Sequence, residues 1–171
     1  MNLPIIAVVC PDTRADADIR ILWQTAERLR RHGLRVGGVL NKIGGDGRVV
    51  RETARSIGDG REFSIMQDLG GESSSCKLDP NGLADSASVL RGALDGEILP
   101  HVLFFNKFGI AEAQGRGLQN EMAEAVSHGI YAVSPVRQKY LADWRAFSGG
   151  CGTELAAGQL FDYLTSRIKT G

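Results

Sequence analysis

The sequence lacks any charge imbalance: 20 basic residues face 20 acidic ones over 171 positions. A nucleic-acid partner would leave a basic footprint, so none is expected, and a membrane surface is equally unsupported. No apolar run approaches the roughly 20 residues of a spanning helix, so no membrane insertion is expected. The N-terminus, MNLPIIAVVCPD, has neither the basic opening nor the cleavage site of a signal peptide. Its apolar stretch reads as a first strand. Cysteine is scarce: Cys10, Cys76 and Cys151 are an odd number with no CxxC pair. That argues against a disulfide framework and for a reducing cytoplasm. The histidines are His32, His101 and His128, and with the cysteines they form no convincing metal set. No metal or cofactor is expected. Repeats, low-complexity tracts and linkers are also missing, so residues 1–171 are expected to form one domain.

Glycine, by contrast, is plentiful at 22 residues, and its clusters punctuate an alternation of strands and helices. PIIAVVC (4–10) reads as a buried strand ended by Pro11-Asp12. A helix follows over about 15–32, with Ile19, Leu22, Ala26 and Leu29 at helical spacing and Gly33 ending it. GLRVGGVLNK (33–42) is a second strand, and 43–66 reads as a small antiparallel hairpin with strands near 48–53 and 61–66. The stretch 69–80 has no periodic pattern. A helix over about 80–95, started by Asp79 and Pro80, leads into HVLFFNK, a strand buried on both faces at 102–105. Beyond it come a helix over 115–128, the strand IYAVSPV (130–136), a short helix near 138–147, the turn SGGCGT and a last helix to about 168. Leu141, Trp144 and Phe147 are helically spaced and belong in the core. His32 and His128, each one residue before a helix-ending glycine, are C-terminal helix residues rather than ligands; His101 shows no partner. Such alternation gives a mainly parallel α/β sheet covered by helices on both faces, with the hairpin attached near 43–66.

Open sheets of this kind place their chemistry just past the carboxyl ends of the strands. Three loops there are candidates. The turn CPDTRADAD (10–18) has no glycine and carries Asp12, Asp16 and Asp18, which complement a helix dipole and would repel a triphosphate. Asp12 and Arg14 are the residues of this turn placed to touch a ligand. The loop 69–77 offers Ser73, Ser74, Ser75 and Cys76 beside Lys77 after two glycines, a plausible nest for a tetrahedral oxyanion or simply a solvated loop. The strand end at 106–112 carries Asn106, Lys107 and Glu112, with Lys107 a point charge suited to an oxyanion or, more plainly, a polar strand end. In SGGCGT, Ser148 or Thr153 caps a helix, with anion contact as the alternative. NKFG is not a guanine-binding Asn-Lys-x-Asp motif, because Gly109 stands where the Asp is required.

The order of strand, phosphate-loop position, helix, second strand and Gly-rich hairpin resembles the small nucleoside triphosphatases of the P-loop class. QDLGGESSSCKLDP, LFFNKFGIAEAQGRGL and LADWRAFSGG resemble more closely an uncharacterised bacterial family of triphosphatase-like proteins, met near molybdate-uptake genes or fused to molybdenum transporter ATPases. The resemblance implies the P-loop fold. It also places the phosphate-gripping Lys near Asp16, the metal-binding hydroxyl near Ala17 and the acidic pair for magnesium on Asn106 and Lys107. Only Glu112 persists, so the fold is expected without the phosphoryl-transfer parts. The expected function is non-hydrolytic binding of a small oxyanion, with molybdate the choice the resemblance implies, or a regulatory role. Two alternatives differ in class: a triphosphatase with relocated groups, in which Glu112 positions water, and an interaction module for a transporter ATPase.

Overall fold

A computed structural model describes residues 2–68, 76–78 and 80–169. Strand β1 (Ile5–Cys10) leads to helix α1 (Ala15–Arg31), then β2 (Val36–Ile43), β3 (Val49–Ser56) and β4 (Glu62–Ser64). A short antiparallel ribbon follows, β5 (Met66–Asp68) paired with β6 (Cys76–Leu78). Next come α2 (Pro80–Leu94), β7 (Val102–Phe104), a one-turn helix α3 (Ile110–Ala113) and α4 (Gln119–Ser127). The chain closes with β8 (Tyr131–Arg137), α5 (Leu141–Phe147), β9 (Thr153–Leu155) and α6 (Leu160–Arg167).

Among the described residues the main sheet has the order β4-β3-β2-β7-β8-β1-β9. From β2 to β9 every neighbouring pair is parallel, while β3 and β4 extend the sheet antiparallel, as the hairpin near 43–66 was expected to do. Alternation along each strand sends side chains to two faces. On β1, Ile6, Val8 and Cys10 join α1 and α6 in one core, while Ile5 and Ala7 join α2, α4 and α5 in the other. Val102, Leu103, Phe104 and Phe105 are all inaccessible to solvent, as a strand covered on both faces requires. Gly38 lets β2 run against β7, because a Cβ there would lie 2.0 Å from the Phe104 carbonyl oxygen and its φ is +109°. The paired glycine ends of α1 and α4 are as expected: Gly33 and Gly129 take positive φ, with His32 and His128 as C-caps.

Four expectations need correction. The helix expected over 115–128 begins only at Gln119, because Gly115 and Gly117 adopt φ of +78° and +66° and keep the residues before it out of the helix. The segment after SGGCGT is not immediately helical: Thr153–Leu155 adds a parallel strand to the edge of β1, with Ile6 opposite Thr153. Thr153 is therefore no helix cap, its hydroxyl lying 3.1 Å from the Tyr163 hydroxyl, and Ser148 closes the C-terminus of α5 by donating to the Arg145 carbonyl. Finally, His101 has a partner, since its Nδ1 accepts the Arg35 N–H at 2.9 Å.

Candidate functional site

The connection from β1 to α1 is only Pro11 to Arg14, of which Asp12–Arg14 form a single 3-10 turn. A chain that tight has no slack to wrap a phosphate, whereas a phosphate-cradling loop needs several glycine-rich residues between strand and helix. The first turn of α1 carries its own negative charge. Asp16 accepts a long hydrogen bond from the Val49 N–H, 3.4 Å, which ties α1 to β3. Asp18 is buried, 3.7 Å from Arg14. Burial raises its pKa against the opposing pull of Arg14. The Cys10 thiol, behind it at the end of β1, is pushed up to about 12 by burial and by the Asp18 charge. The helix terminus that would attract a ligand's phosphate is thus already occupied by side-chain carboxylates.

The cations stand on the other side. A crevice of about 500 Å³ opens past the carboxyl ends of β1, β7 and β8 and reaches β3. Lys107 enters it from the turn after β7, Arg137 and Lys139 from the end of β8, and Arg51 from β3, while Asp16 is the one carboxylate in its described lining. Asn106 lies at the base, 6% exposed, and among the described residues no hydrogen bond reaches its side-chain amide. Its amide opens on the crevice with donors and an acceptor that the described residues do not use, which leaves them available to a ligand. Among the described residues Lys107 likewise has no ion-pair partner, and Arg137 is held only by Asp12, at 3.7 Å on an exposed surface. Facing cations with little internal compensation produce a potential that favours an anion.

The residues singled out in the sequence are only partly brought together. Asn106 and Lys107 line the crevice. Asp12 touches it through Arg137, whereas Arg14 is exposed and turned to Asp18. Glu112 is buried in a different role: Oε1 accepts the Gly109 N–H at 2.9 Å and Oε2 the Leu118 N–H at 3.0 Å. Both oxygens are engaged with backbone, and the residue is buried and absent from the crevice lining. Ser73, Ser74 and Ser75 lie outside the described residues. Cys76 and Lys77 belong to a strand rather than to an open loop, opposite Asp68 and Gln67. Sequence reasoning missed Arg137, Lys139 and Arg51. The first two could have been found, because VSPVRQK ends a core strand with two cations just as LFFNK ends one with Lys107. Arg51 carries no such signal, since only the antiparallel return of β3 brings it over the crevice.

Among the described residues no group of three His, Cys, Asp or Glu could hold a metal ion, and no helix is long and apolar enough to cross a membrane. Residues 5–160 match the model of a family described as "Protein of unknown function (DUF2478)". A curated relative from Bradyrhizobium diazoefficiens, named molybdenum import ATP-binding protein ModC 2, is 39% identical over 137 residues. The matched part is 79% of this chain but 15% of that protein, so the chain spans a small fraction of its relative's length. The fold is similar to the solution structure of a human cancer-related nucleoside triphosphatase, with a TM-score of 0.69 at 11% identity over 99% of this chain and 100% of that one. The crystal structure of THEP1 from the hyperthermophile Aquifex aeolicus gives a TM-score of 0.60 at 12% identity, again over 99% and 100% of the two chains. Those likenesses show the α/β fold of the P-loop triphosphatases.

Proposed function

The chain belongs to the DUF2478 family, and from its crevice we propose that it binds a small oxyanion group without hydrolysing nucleotide. The observation that carries this is the pair Asn106 and Lys107, an amide with no hydrogen-bond partner among the described residues beside a cation with no ion pair there, next to Arg137 at the end of the neighbouring strand β8. Lysine offers a point charge and the guanidinium a fork of donors, a combination suited to a tetrahedral oxyanion. Nucleotide hydrolysis needs the opposite polarity, with a cation and free N–H groups at the helix terminus and a carboxylate holding magnesium at the strand end. Here carboxylates stand at the helix and a lysine at the strand. Asp12 and Arg14 act only at the edge of the site, by holding Arg137 and Asp18. Molybdate is the inorganic ion to test first, because the 39% identical relative is named for molybdenum import. Calorimetric titration with molybdate, tungstate, sulfate and phosphate is the test. A saturable heat for at least one ion is expected, and heats equal to buffer dilution for all of them would end the proposal.

A regulatory attachment is favoured by a separate observation, that the matched segment of the relative is one small part of a longer ATP-binding protein. In that case residues 1–171 act as one cytoplasmic unit that reports anion occupancy to a transporter ATPase. Pull-down with such an ATPase, with and without the anion, checks it: recovery of this chain alone under both conditions counts against the partnership.

A further inference from the structure

We infer that the ligand of this crevice is an organic oxyanion, a phosphate-like group carrying an apolar body, and that a bare tetrahedral ion fills only one end of the site. The inference rests on the oxyanion proposal above and deepens it. Two features of the crevice carry it, its extent and the separation of its chemistry.

The crevice holds about 500 Å³, within the roughly 300–1,000 Å³ of sites that enclose a whole organic ligand. Its lining runs from Pro135 and Arg137 on β8 to Val49 and Arg51 on β3. In the order β3-β2-β7-β8 those strands are three spacings apart, about 14 Å at roughly 4.8 Å per strand. A tetrahedral ion cannot bridge that width.

The two ends differ. Lys107, Arg137 and Lys139 all come from the carboxyl ends of β7 and β8. The far end is walled by Val49, Ile65 and Ile19, aliphatic side chains with little to offer a hydrated ion. Ile110, just beyond the Lys107 turn, adds further apolar surface to the lining, and at 56% exposure it is one of few large hydrophobics left open among the described residues. Asp16, in the first turn of α1, reaches the Val49 N–H at this end, so a second phosphate there would meet a carboxylate. Arg51 is exposed at the rim, where solvent screens it. One anionic group at the β7–β8 end, with an apolar body lying toward β3, matches the cations at one end and the aliphatic side chains at the other.

Calorimetry with inorganic phosphate and with 1-naphthyl phosphate, singly and in competition, tests the inference. The aryl ester is expected to displace phosphate and to bind about tenfold or more tightly, from the apolar surface it removes from water. Lys107→Gln should weaken both ligands in parallel. Val49→Ser, and independently the exposed Ile110→Ser, should bring the ratio of the two affinities down severalfold. Equal affinities in the wild type, or a ratio unmoved by both serine variants, would overturn the organic-ligand inference while leaving oxyanion binding standing. Absence of heat with either ligand would instead remove the oxyanion proposal itself.

Discussion

Glu112 accepts the Leu118 N–H at 3.0 Å, and this one contact joins the α3 turn to the first residue before α4. With the Gly109 N–H on its other oxygen, the carboxylate serves as a buried structural clamp. Glu112→Gln should therefore cost about 1–3 kcal/mol of stability, because an NH₂ would face a backbone donor in a buried site. Gly117→Ala should cost at least as much, since a Cβ there would lie 1.8 Å from Glu112 Oε2 in a backbone with φ +66°. Thermal melts of the two variants check this. Anion affinity measured on the folded Glu112→Gln protein should match the wild type.

Lys107 and Asn106 carry the site, so Lys107→Gln and Asn106→Leu should each lower anion affinity about tenfold or more, the worth of a charge-assisted hydrogen bond in a partly closed crevice. Wild-type affinity should also fall as sodium chloride is raised, while the Lys107→Gln protein responds less. Titrations at two salt concentrations provide the measurement.

Cys10 should be inert. With its thiol pushed up to about 12, almost none is ionised at pH 8, and the side chain is buried. Iodoacetamide followed by mass spectrometry should label Cys151, which is partly exposed, well before Cys10 in the native protein. Equal rates under native conditions would contradict the burial of the β1 end.

His101 gives a pH dependence with a definite sign. Burial, then the nearby Arg35 charge, lowers its pKa below the ordinary 6.5. The neutral ring is the one that accepts the Arg35 N–H. The folded state thus binds the proton less readily than the unfolded chain. Its contribution to stability is complete above 6.5 and is lost as pH falls toward the depressed value. Denaturation midpoints from pH 7.5 downward should show that loss in wild type and a shallower one in His101→Ala.

The fold was legible because its evidence is local and redundant. The runs 4–10, 102–105 and 130–136 are short, apolar and separated by helical periodicity, and each became a central strand. Helix ends were marked by Gly33 and Gly129, whose positive φ was the reason glycine stood there. β9 was not legible, since Thr153–Leu155 is three residues whose pairing depends on where β1 lies in space. The site was half legible for the same reason. Asn106 and Lys107 follow directly from a strand end, whereas Arg51 reaches the crevice through a hairpin whose register, with its irregularity at Asn41 and Lys42, cannot be read from composition. Glu112 was misleading because a carboxylate three residues beyond Gly109 fits both a catalytic spacing and a helix cap; only its two bonds to backbone N–H separate them.

Crystals soaked with tungstate and measured for its anomalous signal test the central claim most directly. An anomalous peak is expected within about 3–4 Å of the Lys107 ammonium and the Asn106 amide, on the β7–β8 side of the crevice, and should vanish in Lys107→Gln crystals. A peak at the start of α1 beside Asp16, or none in the crevice at saturating tungstate, would contradict it.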